Sequence, residues 1–181
     1  MNTLQDVHNI YPDVRITLFA RDDKQLIDTL RNESFHICRD LISNKYISSA
    51  FLKFKQGYLV NAHDGKRLGF VIWKINKDMS KMDNIERKHM FIYLICSRQT
   101  EEKVGRVLLH AIDAYCQQHN IVSIQLEPAN EALISVYESY GYEKSYILRK
   151  LYMTKYIDPI YIKQTRYTRK IKRTLNLPTI D

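Results

Sequence analysis

The sequence predicts a single mixed α/β domain, and three observations carry that reading. Segments in which apolar residues alternate with period 2 interleave with segments in which they recur with period 3.6. At 181 residues with 45% hydrophobic content, the chain can bury one substantial core but hardly two. Internal repeats and low-complexity tracts are absent, which sets aside solenoids and arrays.

Taken in order, VRITLFA (Val14 to Ala20) reads as a strand, and Asp22 or Asp23 can cap a helix carrying Leu26, Ile27, Leu30, Ile37, Leu41 and Ile42. That stretch is long enough for two helices. GYLVNAHDGKRLGFVIWKIN holds two β-rich runs around Asp64-Gly65, the dipeptide favoured by type I′ hairpin turns. A polar segment, KDMSKMDNIERK, then leads into HMFIYLICS, a short apolar run suited to a strand buried on both faces and central in its sheet. Next, Val104, Val107, Leu108, Ala111, Ile112 and Tyr115 recur at i, i+3, i+4, i+7, i+8 and i+11, which predicts a helix with one core face. IVSIQLEP follows as a strand ended by Pro128, then Asn130 to Tyr140 as a helix stopped at Gly141, then YEKSYILRKLYMTKY as one strand or a pair.

Charge and cysteine usage narrow the function classes. From Pro159 to Asp181 there are six basic residues against one acid, which places five of the eight net positive charges in the tail. The tail fits a basic amphipathic helix. It could bind nucleic acid, an acidic membrane surface or a polyanionic ligand, or could simply be a solvated extension covering the domain. The chain accordingly divides into a domain at 1–158 and an extension at 159–181. No run approaches 18 consecutive apolar residues and the start is polar, so no membrane span is expected and a soluble, cytoplasmic protein is the default. Cys38, Cys96 and Cys116 are far apart and lack any C-x-x-C spacing; they are expected as reduced, mostly buried thiols, with no metal site.

Chemistry enters where IYLICSRQTEEKVGRVLL passes from strand to helix. The first N–H groups of a helix lack intrahelical partners, so such a start is an anion site suited to a pyrophosphate. The segment HMFIYLICSRQTEEKVGRVLL resembles the acetyl-CoA motif of the Gcn5-related N-acetyltransferase (GNAT) family, R/Q-x-x-G-x-G/A after a strand. Its six positions fall on Thr100, Glu101, Glu102, Lys103, Val104 and Gly105. Gly105 matches, whereas Thr100 replaces Arg or Gln and Lys103 replaces the first Gly. NEALISVYESYGYE is similar to the family's later helix, N-x-x-A-x-x-x-Y-x-x-x-G-F, with Asn130, Tyr137, Gly141 and Tyr142 in register and Leu133 in place of Ala. DGKRLGFVIW resembles the family's hairpin, Gly69-Phe70 included.

That resemblance implies a GNAT fold: a central mixed, mostly antiparallel sheet, splayed between the fourth and fifth strands and flanked by helices. It implies acetyl-CoA as cosubstrate and direct transfer of acetyl to a primary amine. The pantetheine arm would pair with the backbone of Tyr93, Leu94 and Ile95. The diphosphate would rest on the N–H groups of Glu102 to Arg106, with Gly105 allowing close approach. Glu101 and Glu102 would repel a phosphate, yet acids in a first helical turn favour the dipole by about 0.3 to 1 kcal/mol. Lys103 and Arg106 would offset the repulsion if they reach it.

Tyr137 matches the family tyrosine that protonates the departing thiolate, with Val136 and Leu133 supplying the core face of its helix. Asn130 would bond the pantetheine or cap the helix. His89, counted back from Thr100, falls where some members carry a catalytic glutamate, and it titrates in the range a base requires. Cys96 reads as a small buried hydrophobe, since no His and Asp pattern accompanies it. The acceptor site is expected in loops around residues 21–48 and 76–89. A non-catalytic GNAT-like module, using its basic tail to bind nucleic acid or a protein partner, is the second reading.

Overall fold

The computed structural model describes residues 3–38, 42–79, 86–98 and 104–157. It opens with a helix absent from the sequence reading, α1 (Leu4–Ile10), which Thr3 and Asp6 start through a reciprocal capping box. Its single buried residue, Val7, gives too short an apolar stripe to register as periodicity. Strand β1 (Val14–Ala20) follows, then α2 (Lys24–Ile37), which Asp23 caps by accepting from the Leu26 N–H at 3.1 Å. The expected second helix is α3 (Asn44–Lys53), capped by Ser43.

Strands β2 (Gln56–Ala62) and β3 (Arg67–Met79) form the expected hairpin, but not with the expected turn. A type I′ turn needs positive φ at both central residues, and here only Gly65 has it, at +84°. The Ala62 carbonyl accepts from the Gly65 N–H and the Ala62 N–H donates to the Lys66 carbonyl. The connection is thus a three-residue loop closing on a left-handed glycine, and Asp64 stabilises it by accepting from the Lys66 N–H.

Strand β4 (Glu86–Ser97) is central, as its apolar run predicts, and it is followed by α4 (Val104–Gln118), β5 (Ile121–Leu126) and α5 (Ala132–Ser139). The ladder between β3 and β4 reaches further than the apolar run: Lys77, Asp78 and Met79 pair with Lys88, Arg87 and Glu86. The chain closes on a pair of strands, β6 (Glu143–Ile147) and β7 (Lys150–Tyr156). Their two-residue turn, Leu148–Arg149, has φ +49° and +64°, so positive φ at both central positions occurs here, without a glycine.

These strands make one seven-stranded sheet in the order β1-β2-β3-β4-β5-β7-β6. Only β4 and β5 run parallel; every other pair is antiparallel. This is the mixed, mostly antiparallel sheet that the sequence implies. One face carries the larger core, in which α4 contributes Val107, Leu108, Ala111 and Ile112 against Trp73, Met90, Ile92, Ile124 and Met153. The opposite face is covered by α2 and α3 only as far as β4, through Leu30, Ile47, Phe51 and Phe54 against Phe19, Phe70, Ile72 and Leu94. Half of that second face is therefore left without a helical cover among the described residues.

The cysteines depart from expectation. Cys38 and Cys96 are joined as a disulfide with Cα atoms 6.0 Å apart, tying the end of α2 to β4, whereas Cys116 is free and buried as expected. Folding of α2 over β4 joins residues 58 apart in sequence, and spacing alone carries no sign of such a pair. No helix among the described residues is long and apolar enough to cross a membrane. The tail from 159 to 181 lies outside the described residues.

Candidate functional site

The parallel ladder between β4 and β5 ends at Ile92↔Leu126, although β4 continues to Ser97 on β3 alone. Beyond Leu126 the chain leaves the sheet through Glu127 and Pro128. Pairing makes Trp73 face Ile92 and Ile72 face Leu94, so Tyr93 is an extra residue, a bulge in β4. A bulge reverses the alternation of side chains: Met90 and Ile92 enter the α4-side core, whereas Leu94 and Cys96 enter the α2-side core. The splay between fourth and fifth strands thus coincides with a change of face, and a cleft of about 680 Å³ opens there.

On one side the cleft runs along β4 and the start of α4. Tyr93, Leu94 and Ile95 line it, and the β5-facing backbone groups of this stretch have no strand partner among the described residues. Gly105 and Arg106 line it from the first turn of α4. A Cβ on Gly105 would meet nothing nearer than Ser97 Oγ at 4.0 Å, so its missing side chain leaves open space. Gly69 serves the same side structurally: a Cβ there would sit 2.6 Å from the Cys96 carbonyl oxygen and 2.7 Å from Val104 Cγ1. The Val104 side chain is buried in the core, which leaves its amide as the part able to serve a ligand. Arg106 donates through Nε to the Tyr140 hydroxyl at 2.7 Å, and both residues line the cleft. Thr100, Glu101, Glu102 and Lys103 lie outside the described residues.

Tyr137 reaches the same cleft from α5. Its ring packs edge-on against Tyr142 at 5.7 Å, and burial pushes its phenol up to about 12, so it is protonated at neutral pH. The core face of α5 differs from expectation. Val136 is 44% exposed, while Ile134 and Tyr137 itself meet the core. Asn130 acts as a cap, its Oδ1 accepting from the Leu133 N–H at 3.1 Å, and it does not line the cleft. His89 also stands apart from the lining. It lies four residues before Tyr93 on β4, about 13 Å along the strand, and its Nδ1 is 2.8 Å from Ser123 Oγ. Burial lowers its pKa first of all, opposed by Asp78 and reinforced by Arg87.

The other side of the cleft is lined from α3 and from the residues that follow β5. Ser43 and Tyr46 enter from α3 and the residue that caps it, within the 21–48 region expected to hold the acceptor site. Residues 80–85 of the second expected region lie outside the described residues. Glu127, which the sequence reading passed over, is the only acidic side chain lining the cleft among the described residues. Its Oε2 is 2.6 Å from Lys150 Nζ on β7. The signal for it was present as parity: Ile124 and Leu126 are core, so Ser123, Gln125 and Glu127 share the opposite face. The described residues gather no group of three or more His, Cys, Asp or Glu able to hold a metal ion.

The arrangement can hold an extended ligand along β4, offer amides to an anion at α4, and present a phenol and a carboxylate where the strands part. A family model described as "Acetyltransferase (GNAT) family" matches residues 20–142. No curated protein matches the sequence. Among solved structures, the chain is similar to the PaiA N-acetyltransferase from Thermoplasma acidophilum in complex with coenzyme A, at TM-score 0.54 and 17% identity over 79% of this chain and 98% of that one. It is similar to the catalytic domain of Tetrahymena GCN5 histone acetyltransferase in complex with coenzyme A, at 0.56 and 14% over 81% and 94%. The ribosomal-protein-S18-alanine N-acetyltransferase from Escherichia coli gives 0.52 and 16% over 80% and 95%.

Proposed function

The chain belongs to the GNAT acetyltransferase family, and we propose on that basis that it transfers acetyl from acetyl-CoA directly to a primary amine. One observation carries this reading: a single cleft joins the open backbone of β4 and the start of α4 to the protonated phenol of Tyr137. Tyr93, Leu94 and Ile95 would pair with the pantetheine, and the stretch from Thr100 to Arg106 would take the diphosphate. The space beside Gly105 and the unpartnered β4 backbone fit such a ligand.

In the proposed reaction the amine nitrogen bonds to the acetyl carbonyl carbon and the carbon–sulfur bond breaks. The departing sulfur takes the Tyr137 proton. The attacking nitrogen sheds its proton to water, with His89 as the final acceptor. Burial keeps that imidazole neutral at neutral pH, as a base must be. Residues 1–158 would form the catalytic unit, and 159–181 would add a basic extension able to bind nucleic acid electrostatically.

The test is incubation of the full chain with acetyl-CoA and a panel of amines, with CoA and N-acetyl product quantified by mass spectrometry. Amine-dependent release of CoA, matched mole for mole by N-acetyl product, is the expected result. Binding of CoA without transfer to any amine would instead favour a non-catalytic module acting through the tail.

A further inference from the structure

The register of the sheet places a carboxylate and three aromatic rings around the point where β4 and β5 part. Leu126 pairs with Ile92 on one side and with Met153 on the other, and all three side chains enter the α4-side core. Their chain neighbours Tyr93, Glu127 and Tyr152 therefore share the opposite face, the one that α2 and α3 leave partly uncovered. Phe91 lies between two of the tyrosines, with ring centroids 5.0 Å from Tyr93 and 6.2 Å from Tyr152. Tyr46 approaches from α3, and its phenol is raised to about 12 by burial first and then by Glu127, Tyr152, Tyr93 and Tyr137. Those four groups thus lie close enough to act on Tyr46.

A primary alkylammonium already occupies this place. Lys150 Nζ lies 2.6 Å from Glu127 Oε2 and 5.9 Å from the centre of the Tyr152 ring. Its side chain is 51% exposed and comes from a hairpin that presents Tyr146, Ile147 and Leu148 to solvent. With the lysine half exposed, the pair is screened by solvent and weakly held, so a competing cation can displace it. Tyrosine faces attract such a cation, and the carboxylate fixes its position.

We infer that Glu127 is the anchor of the acceptor, which binds as a primary alkylammonium on a flexible unbranched stem, displacing Lys150 and lying between Tyr46, Tyr93 and Tyr152, and which gives up one proton to water before its nitrogen attacks. The inference rests on the acetyl-transfer reading for its catalytic consequence, but not for binding. The same chemistry is carried by a free polyamine and by a lysine side chain of a peptide.

The test uses the full chain with Glu127→Gln, which keeps shape and removes charge, and Lys150→Met, which frees the carboxylate. With saturating acetyl-CoA, Glu127→Gln raises the KM for n-butylamine about tenfold or more. It leaves the KM for aniline, uncharged at neutral pH, and the Kd for CoA unchanged. Lys150→Met lowers the n-butylamine KM. Comparing kcat/KM for spermidine and for a lysine-containing hexapeptide tells which source the site prefers. An unchanged n-butylamine KM in Glu127→Gln, in an enzyme that does acetylate it, overturns the inference while sparing the acetyl-transfer reading. If no amine is acetylated, calorimetric titration of n-butylammonium still decides: binding to the wild type that Glu127→Gln abolishes supports the anchor, and equal binding by both overturns it.

Discussion

The side of the cleft toward α4 runs along the open edge of β4 to a helix start, whereas the side toward α3 is lined by Tyr46 and Glu127, with Lys150 of β7 paired to that carboxylate. The difference teaches what each side asks of the sequence. A ligand held by N–H and C=O groups tolerates nearly any side chain, so the stretch Tyr93 to Ile95 and the departures at Thr100 and Lys103 are compatible with the fold's ligand site. A ligand held by a carboxylate and aromatic rings depends on particular residues. Drift in sequence should therefore spare the first function and redirect the second.

Tyr137 stands at the boundary between the sides, and its removal should have the largest effect on rate. Tyr137→Phe is expected to lower kcat by about 10²- to 10⁴-fold while leaving CoA affinity unchanged, since the ring packing against Tyr142 is kept. Stopped-flow measurement at saturating amine checks it, and an unchanged rate removes Tyr137 from the role of acid.

The two sides are also joined mechanically, by Lys155 on β7 and Asp113 on α4, whose charged atoms are 2.6 Å apart with side chains 20% and 16% exposed. Lys155→Met leaves a carboxylate buried without its partner and is expected to cost about 3–5 kcal/mol in urea denaturation. Adding Asp113→Asn should recover part of that loss. No recovery would mean that the pair acts through packing alone.

A sharper probe of the backbone side is Gly105→Val, whose Cβ enters the open space beside Ser97 with Oγ at 4.0 Å as its nearest neighbour. CoA affinity should fall about tenfold or more, an effect of at least about 1.4 kcal/mol. The denaturation midpoint should stay nearly constant. Retained affinity would show that the ligand does not pass Gly105.

The smallest effect expected is on pH dependence. Burial lowers the pKa of both His89 and His110 in the folded state, so the unfolded chain binds more protons as pH falls below about 6.5. Their contribution to stability is complete above that pH and is lost as pH falls through the folded values. Urea midpoints between pH 7.5 and 5.5 should show this decline, and replacing both residues by Gln should flatten its slope whatever it does to the level.

How much was legible follows the same division. The central strand, the α4 stripe and the Tyr137 register could be read because they rest on long periodic runs or on a spaced motif. The α1 helix could not, because it rests on a four-residue capping box and one buried valine. The β2–β3 turn was misread because Asp-Gly serves two loop lengths, and the register that separates them is set by strand pairing. The acceptor wall is not legible for a different reason: Tyr46, Tyr93, Glu127 and Tyr152 come from four separate segments, and only the sheet order, the bulge at Tyr93 and the packing of α3 bring them together.

Hydrogen exchange of backbone amides with and without CoA tests the central claim most directly, because it reads main-chain groups rather than activity. The account predicts that CoA slows exchange in residues 93–97 and 104–106, with little change around Tyr46, Glu127 and Lys150. Protection confined to the side-chain wall, or none at saturating CoA, would contradict a cleft whose two sides divide the work between backbone and side chains.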